Sequence, residues 1–223
     1  MNRRLLVFVV AVAAILTFVV GGYIYAYVRM LQTPTSATTS AAETSLVRAH
    51  SPVIGKVDAP VTIVEFLDPS CEACRAFFPI VKDVLAQYPD DVRLVVRYAA
   101  FHQGSDDAVR IIEASRKQGK FEEVLAALFD NQELWAAHGA PDIKKAWEIA
   151  HGQKVEGMQA RLDSVTPEID AILKQDAADV AANKVEQTPT FFVNGAPLID
   201  FSEEGFRTLV KRQVEAARSG SKT

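Results

Sequence analysis

A chain of 223 residues, 49% hydrophobic and carrying a formal net charge of −4, has enough apolar material for a sizeable core. All 28 acidic residues lie beyond Arg29, as do 21 of the 24 basic ones (Arg3, Arg4 and Arg29 are the exceptions), so that part carries −7. Such acidity argues against nucleic acid or an anionic lipid surface as the partner.

The chain opens on a membrane-type segment. Leu5 to Val28 is a stretch of 24 residues without a charge, long enough to cross a bilayer core at about 1.5 Å per residue. The apolar region of a cleavable signal peptide is shorter, about 7–15 residues, and small residues at the cleavage site follow it closely. Here the run ends in Tyr23, Tyr25, Tyr27 and Arg29, an interfacial flank, and the nearest small-residue pattern is the distant Ser40-Ala41-Ala42. Residues 1–30 therefore read as an uncleaved single-pass anchor. Arg3, Arg4 and the α-amino group outweigh Arg29, which predicts a cytoplasmic N-terminus and places the rest on the periplasmic side of an inner membrane. Residues 31–51, rich in Thr, Ser, Ala and Pro, read as a flexible tether with an r.m.s. span of roughly 25–30 Å.

Residues 52–218 are of single-domain size, with 219–223 as a tail. Val61 to Leu67 and Val92 to Tyr98 are apolar runs of strand length on either side of an amphipathic stretch, which predicts a βαβ unit with parallel strands. A long helical section follows, about 105–185. Within it Phe121, Val124, Leu125, Leu128 and Phe129 share one helix face, as do Ile143, Ala146, Trp147 and Ala150. Thr166-Pro167 has the form of an N-cap with proline at the first helical position, leading to Ile169, Ile172, Leu173 and Val180. The chain then returns to sheet. Thr190–Val193 and Ala196–Ile199 flank Asn194-Gly195, a strong hairpin signal, and Ser202 caps a last helix with Phe206, Leu209, Val210 and Val214 on one face. The outline is βαβ, an inserted helical bundle, then ββα.

The only two cysteines stand as Cys71-Glu72-Ala73-Cys74, where the first strand gives way to its helix. This spacing brings the sulfurs within bridging reach across one helical turn. So small a ring restrains the unfolded chain very little, so the pair has slight value as a staple and more as a redox couple. A zinc site needs about four ligands, and His50, His102, His138 and His151 are scattered. Cys71 falls at a helix N-terminus, where unpaired N–H groups and the macrodipole favour a thiolate. Glu65 lies in an otherwise apolar strand six residues earlier, a costly place for a carboxylate without a role or a partner. Pro79 inside the helix reads as a kink and Trp135 and Trp147 as core; His102, just after the second strand, could approach the site but reads first as a solvated loop histidine.

Gly55 to Phe66, the Cys71–Cys74 pair, Gly119-Lys120-Phe121 with Leu128-Phe129, and Thr188-Pro189-Thr190-Phe191 together resemble DsbA-like thiol:disulfide oxidoreductases. The resemblance covers essentially all of 52–218, with the motifs in the family's order. It implies an α/β thioredoxin fold with a helical insertion, and a cis Thr188-Pro189 bond facing the cysteines and receiving an extended substrate segment. It also implies that Glu65 lies beneath the pair and handles the proton of the buried cysteine. Cys71, at the helix start, is then the nucleophile and Cys74 the resolving thiol. The expected partners are exported cysteine-containing proteins and a redox partner in the membrane, with no cofactor beyond the Cys71–Cys74 disulfide.

Strong oxidases of that family usually carry Pro-His between the cysteines. Glu72-Ala73 removes a histidine and adds a carboxylate, which predicts a Cys71 less acidic than theirs, though below the free value of about 8.5, and a less oxidising couple. A reductase or isomerase of the same fold is the alternative direction. A thiol-based handler of Cu(I) or Zn(II) is the alternative class.

Overall fold

The computed structural model describes residues 20–22 and 46–220. The chain divides into two units, Met1–Ser40 and Ala41–Thr223. In the first, residues 20–22 are helical; the rest of the expected anchor, and the tether up to residue 45, lie outside the described residues. Among the described residues no helix is long and apolar enough to cross a membrane.

The second unit is built on a five-stranded sheet in the order β1-β3-β2-β4-β5. Its centre is β2 (Val61–Leu67) beside β3 (Val92–Tyr98), parallel, in register from Val61 opposite Val92 to Leu67 opposite Tyr98. Both strands are covered on two faces, hence their near-continuous apolar sequences. The crossover is α1 (Glu72–Gln87), which buries Cys74, Phe77, Val81 and Val84 at helical spacing and contains Pro79. On the other side of β2 runs β4 (Thr190–Val193), antiparallel, with β5 (Ala196–Pro197) at the edge. Asn194 and Gly195 adopt φ of 47° and 79°, the left-handed pair that a two-residue hairpin turn requires. Asn194 also accepts a hydrogen bond from Thr62 N–H through Oδ1 at 2.8 Å, tying the turn to β2.

Two features differ from expectation. A short strand, β1 (Val53–Gly55), pairs antiparallel with β3 at the far edge, and β5 stops at Pro197 rather than running to Ile199. Proline lacks the ladder N–H and suits an edge strand.

The insertion comprises α2 (Ser105–Arg116), α3 (Phe121–Asp130), α4 (Gln132–Trp135), α5 (Ile143–Gly152), α6 (Gly157–Ser164) and α7 (Pro167–Ala182); α8 (Glu203–Gly220) closes the fold. Thr166 stands at the N-cap of α7 without a side-chain cap bond, whereas Ser202 Oγ accepts from Gly205 N–H at 3.0 Å. Trp135 and Trp147 are buried as expected, and Trp135 Nε1–H donates to Leu128 O at 2.8 Å.

Side chains alternate across the sheet. On one face Ile63, Leu67, Leu94, Val96 and Phe191 join α1, α8 and the insertion in the main core. On the other, Val64, Phe66 and Val95 meet Val180, Val185 and Leu46. Leu46 is a correction. Composition places it in the tether, yet it is buried, and Arg48 bonds to Asp179 through both Nε (2.8 Å) and Nη2 (2.7 Å). Burying a leucine stabilises by about 1.5–3 kcal/mol, which helps to hold residues 46–51 on the domain although their polar sequence shows no apolar period.

Candidate active site

Cys71 is the N-cap of α1, with extended backbone (φ −80°, ψ 124°). Its N–H donates to Asp68 O at 3.1 Å, and its Sγ donates to Thr188 O at 3.2 Å. Cys74 lies one turn deeper and fully buried, accepting from Asp68 N–H at 3.4 Å; Cys71 keeps 6% of its surface exposed. Both are free thiols. The two differ sharply in acidity. Cys71 is lowered to about 5: the hydrogen bond from the Cys74 thiol contributes most, burial works against it, and the Thr188 side chain and the N–H groups of Cys74 and Ala73 assist. Cys74 is pushed far up, by burial first and then by Cys71 and Glu65. The helix N–H groups thus act as expected but rank behind the second thiol. When Cys71 ionises it loses the proton it donates to Thr188 O, and donors from the helix start remain to hold the anion.

Glu65 is buried in β2, opposite Val96 on one side and Phe191 on the other. Burial lifts its carboxyl to about 8, and the charge of Cys71 adds to the lift. The Thr188-Pro189 peptide bond is cis. Cys71, Cys74, Glu65 and Thr188 therefore act on one another at one end of β2, with Pro189 adjoining.

Further residues converge here that sequence reasoning passed over. Asp68 is fully buried and accepts from Ser70 N–H (2.8 Å), Phe101 N–H (2.7 Å), His102 N–H (2.9 Å), His102 Nδ1 (2.8 Å) and the Ser105 hydroxyl. Reading His102 as a solvated loop histidine is thus corrected: it docks on a buried carboxylate three residues before Cys71. Gln132 of α4 donates from Nε2 to Pro69 O (2.8 Å) and Cys71 O (3.0 Å), fastening the insertion to the cysteine loop. Glu72 is held below the usual carboxylate range by its own N–H and by His138, whose Nε2 stands 2.7 Å from Oε1. An acid ending an apolar strand just before a CxxC was a usable signal for Asp68. Nothing local marks Gln132 or His138, which lie more than sixty residues away.

A family model described as thioredoxin matches residues 48–212. The chain belongs to the thioredoxin family. The crystal structure of a thioredoxin-like oxidoreductase from Silicibacter pomeroyi DSS-3 is 30% identical to it, with a TM-score of 0.66, covering 78% of this chain and 96% of that one. Disulfide bond formation protein D of Bacillus subtilis (strain 168) is 29% identical over 170 residues, which cover 68% of this chain and 71% of that protein. The Na(+)/H(+) antiporter NhaA of Herminiimonas arsenicoxydans is 34% identical over 169 residues, covering 76% of this chain but 26% of the antiporter. The chain thus spans about a quarter of that relative's length, and the likeness is confined to that portion.

The fold is thioredoxin-like with a helical insertion, and the thioredoxin-like neighbours support an oxidoreductase of the thiol–disulfide type. The arrangement suits that chemistry: one sulfur with slight exposure favoured as an anion, one kept fully buried and protonated, and a nearby buried carboxyl raised to about 8. Among the described residues, no group of three or more His, Cys, Asp or Glu is disposed to hold a metal ion.

Proposed function

We propose that this protein oxidises the dithiols of exported, cysteine-containing proteins. The opposed acidities of Cys71 and Cys74 carry this reading. A stabilised Cys71 thiolate is a good leaving group and stabilises the reduced form, which makes the disulfide form an oxidant.

In the forward direction a client thiolate attacks Sγ of Cys71 in the Cys71–Cys74 disulfide. The S–S bond breaks, and Cys74 leaves with the electron pair and takes a proton. Glu65, protonated around neutral pH by its raised pKa, supplies it. The client's second thiolate then attacks the client sulfur of the mixed disulfide, forming the client disulfide and releasing Cys71 as a thiolate. Two electrons have passed to the cysteine pair; one proton rests on Cys74 and the other goes to water. A redox partner in the membrane takes the electrons onward. The backbone at Thr188, whose O already lies 3.2 Å from Cys71 Sγ, is the docking edge for an extended client segment, with Pro189 beside it.

The uncharged run from Leu5 to Val28 and the arginines Arg3 and Arg4 support an inner-membrane anchor with the catalytic unit on the periplasmic side. Protease added to intact spheroplasts should digest the domain, and protection would reverse the orientation. The direction of electron flow is tested by the reduction potential against glutathione. It should lie above about −200 mV, whereas a value near the roughly −270 mV of thioredoxin would assign a reductase.

A further inference from the structure

The dipeptide between the cysteines carries no cation, yet two imidazoles stand at the mouth of the site. His102 Nδ1 lies 2.8 Å from Asp68 Oδ2, and His138 Nε2 lies 2.7 Å from Glu72 Oε1. The two rings lie with centroids 6.0 Å apart, tilted by 57°. Asp68 stands three residues before Cys71 and Glu72 one residue after it, so a chain of carboxylate, imidazole, imidazole and carboxylate flanks the reactive sulfur.

We propose that His102, fixed by Asp68, is the positioning residue that holds a cation against the Cys71 thiolate, in the role that the Glu72-Ala73 dipeptide leaves unfilled. The inference rests on the disulfide-exchange reading of the site. Asp68 Oδ2 also accepts from the N–H groups of Phe101 and His102, so a carboxylate faces Nδ1 and the ring proton sits there. Nε2 is then the atom that takes up the second proton and makes the ring a cation. Burial alone would lower the His102 pKa. The bond and charge of Asp68, with the charges of Cys71 and Glu72, outweigh it and raise it. Asp68 also fixes the distance, since its O accepts from Cys71 N–H and its N–H donates to Cys74 Sγ. His138 complements it by occupying the Glu72 carboxylate that otherwise opposes the anion. The titratable groups around His102 are thus Asp68, Cys71, Glu72 and His138, and the thiolate gains a cation while its neighbouring acid is engaged by a hydrogen bond.

The alternative is that His102 serves only to tie its loop to Asp68. His102→Asn separates the two, because its amide N–H can replace the Nδ1 donor without carrying charge. In the reduced protein the thiolate pKa, read from iodoacetamide rate against pH, should rise by about 0.5–1 unit in the variant. The glutathione equilibrium should shift roughly three- to tenfold toward the protein disulfide, about 15–30 mV more reducing. Linkage demands the reciprocal effect in the unaltered protein. His102, followed by NMR, must titrate at higher pH in the dithiol form than in the disulfide form, by the same interval. That measurement decides the matter even if the variant does not fold. An unchanged thiolate pKa in the variant, or a His102 titration indifferent to the redox state, overturns the proposal. Turnover of a dithiol peptide by the unaltered protein is scored separately: its absence sinks the exchange reading, whereas turnover with indifferent titrations sinks the role of His102.

Discussion

Two buried ionic clusters lie on opposite faces of the sheet, and they are built on opposite terms. On one face Arg97 donates from Nε and Nη2 to Asp176 Oδ1 (3.1 and 2.7 Å), from Nη2 to Asp179 Oδ2 (2.5 Å) and from Nη1 to Leu46 O (2.7 Å). Tyr98 N–H and His50 complete Asp176, and Arg48 completes Asp179. Cation and carboxylate are matched. Burial would raise Asp179, but the bonds from Arg48 and Arg97 win and bring it to about 2. On the other face Glu65, Cys71 and Cys74 gather groups that would each be negative when ionised, and burial drives Glu65 and Cys74 up rather than down. Where charges are paired, the cluster clamps residues 46–51 onto the domain. Where they are left to compete, protons move within reach of physiological pH, as chemistry at a thiol requires.

The largest test removes the reacting sulfur. Cys71→Ala should abolish exchange with a dithiol peptide, whereas Cys74→Ala should accumulate a covalent client adduct visible on non-reducing gels. Adducts on Cys71→Ala instead would reverse the two roles. On the opposite face the largest effect is on stability. Arg97→Ala leaves Asp176 and Asp179 buried without their shared cation and should cost about 3–5 kcal/mol in denaturant unfolding, with exchange by the folded fraction little changed. A loss under about 1 kcal/mol would mean that water takes over the pairing and that the two faces differ less than their bonding implies.

Glu65→Gln should slow exchange at neutral pH by at least tenfold, since a proton donor to Cys74 is lost. Its effect on stability has the opposite sign. A carboxyl raised to about 8 in the folded state favours folding below its unfolded value of 4.5 and loses that contribution as pH rises toward 8. Asp179, lowered to about 2 from 3.8, favours folding above 3.8 and loses that contribution as pH falls toward 2. In the dithiol form Cys71, lowered from 9.0 to about 5, adds stability as pH rises over the same window as Glu65 and masks the Glu65 loss. In the disulfide form, where Cys71 does not titrate, stability should decline on both sides of a plateau, and Glu65→Gln should flatten only the upper limb. A variant that keeps the upper limb would remove Glu65 as its source.

How much of this was legible follows the range of the interactions. The runs of β2 and β3, the turn at Asn194-Gly195 and the face of α1 are local patterns, and each appears where the residues predict it. So do Cys71, Cys74 and Glu65, which lie within ten residues of one another. β1 escaped notice because three residues have no period to read, and its strand character comes from the partner it meets in β3. Leu46 and Arg48 looked like tether because their partners, Arg97 and Asp179, are remote in the chain. The same holds at the site: Asp68 meets His102 across 34 residues, and Glu72 meets His138 across 66. Reading the helix start predicted a Cys71 below its free value, and it is lowered to about 5, with Cys74 of the same turn as the largest contributor.

The smallest expected effect separates charge from hydrogen bonding at the edge of the paired cluster. His50 Nε2 lies 2.8 Å from Asp176 Oδ1, which Arg97 also holds. If the network needs the bond but not a further cation, His50→Gln should stay within about 0.5 kcal/mol of the unaltered protein, while His50→Ala should lose about 1 kcal/mol. Equal losses for both would show that the imidazole's packing, rather than its bond, is what Asp176 requires. A loss confined to Ala would mean that Arg97 and Arg48 already balance the two aspartates. The satisfied face would then keep its stability without an imidazole at residue 50, unlike the face where the cysteines react.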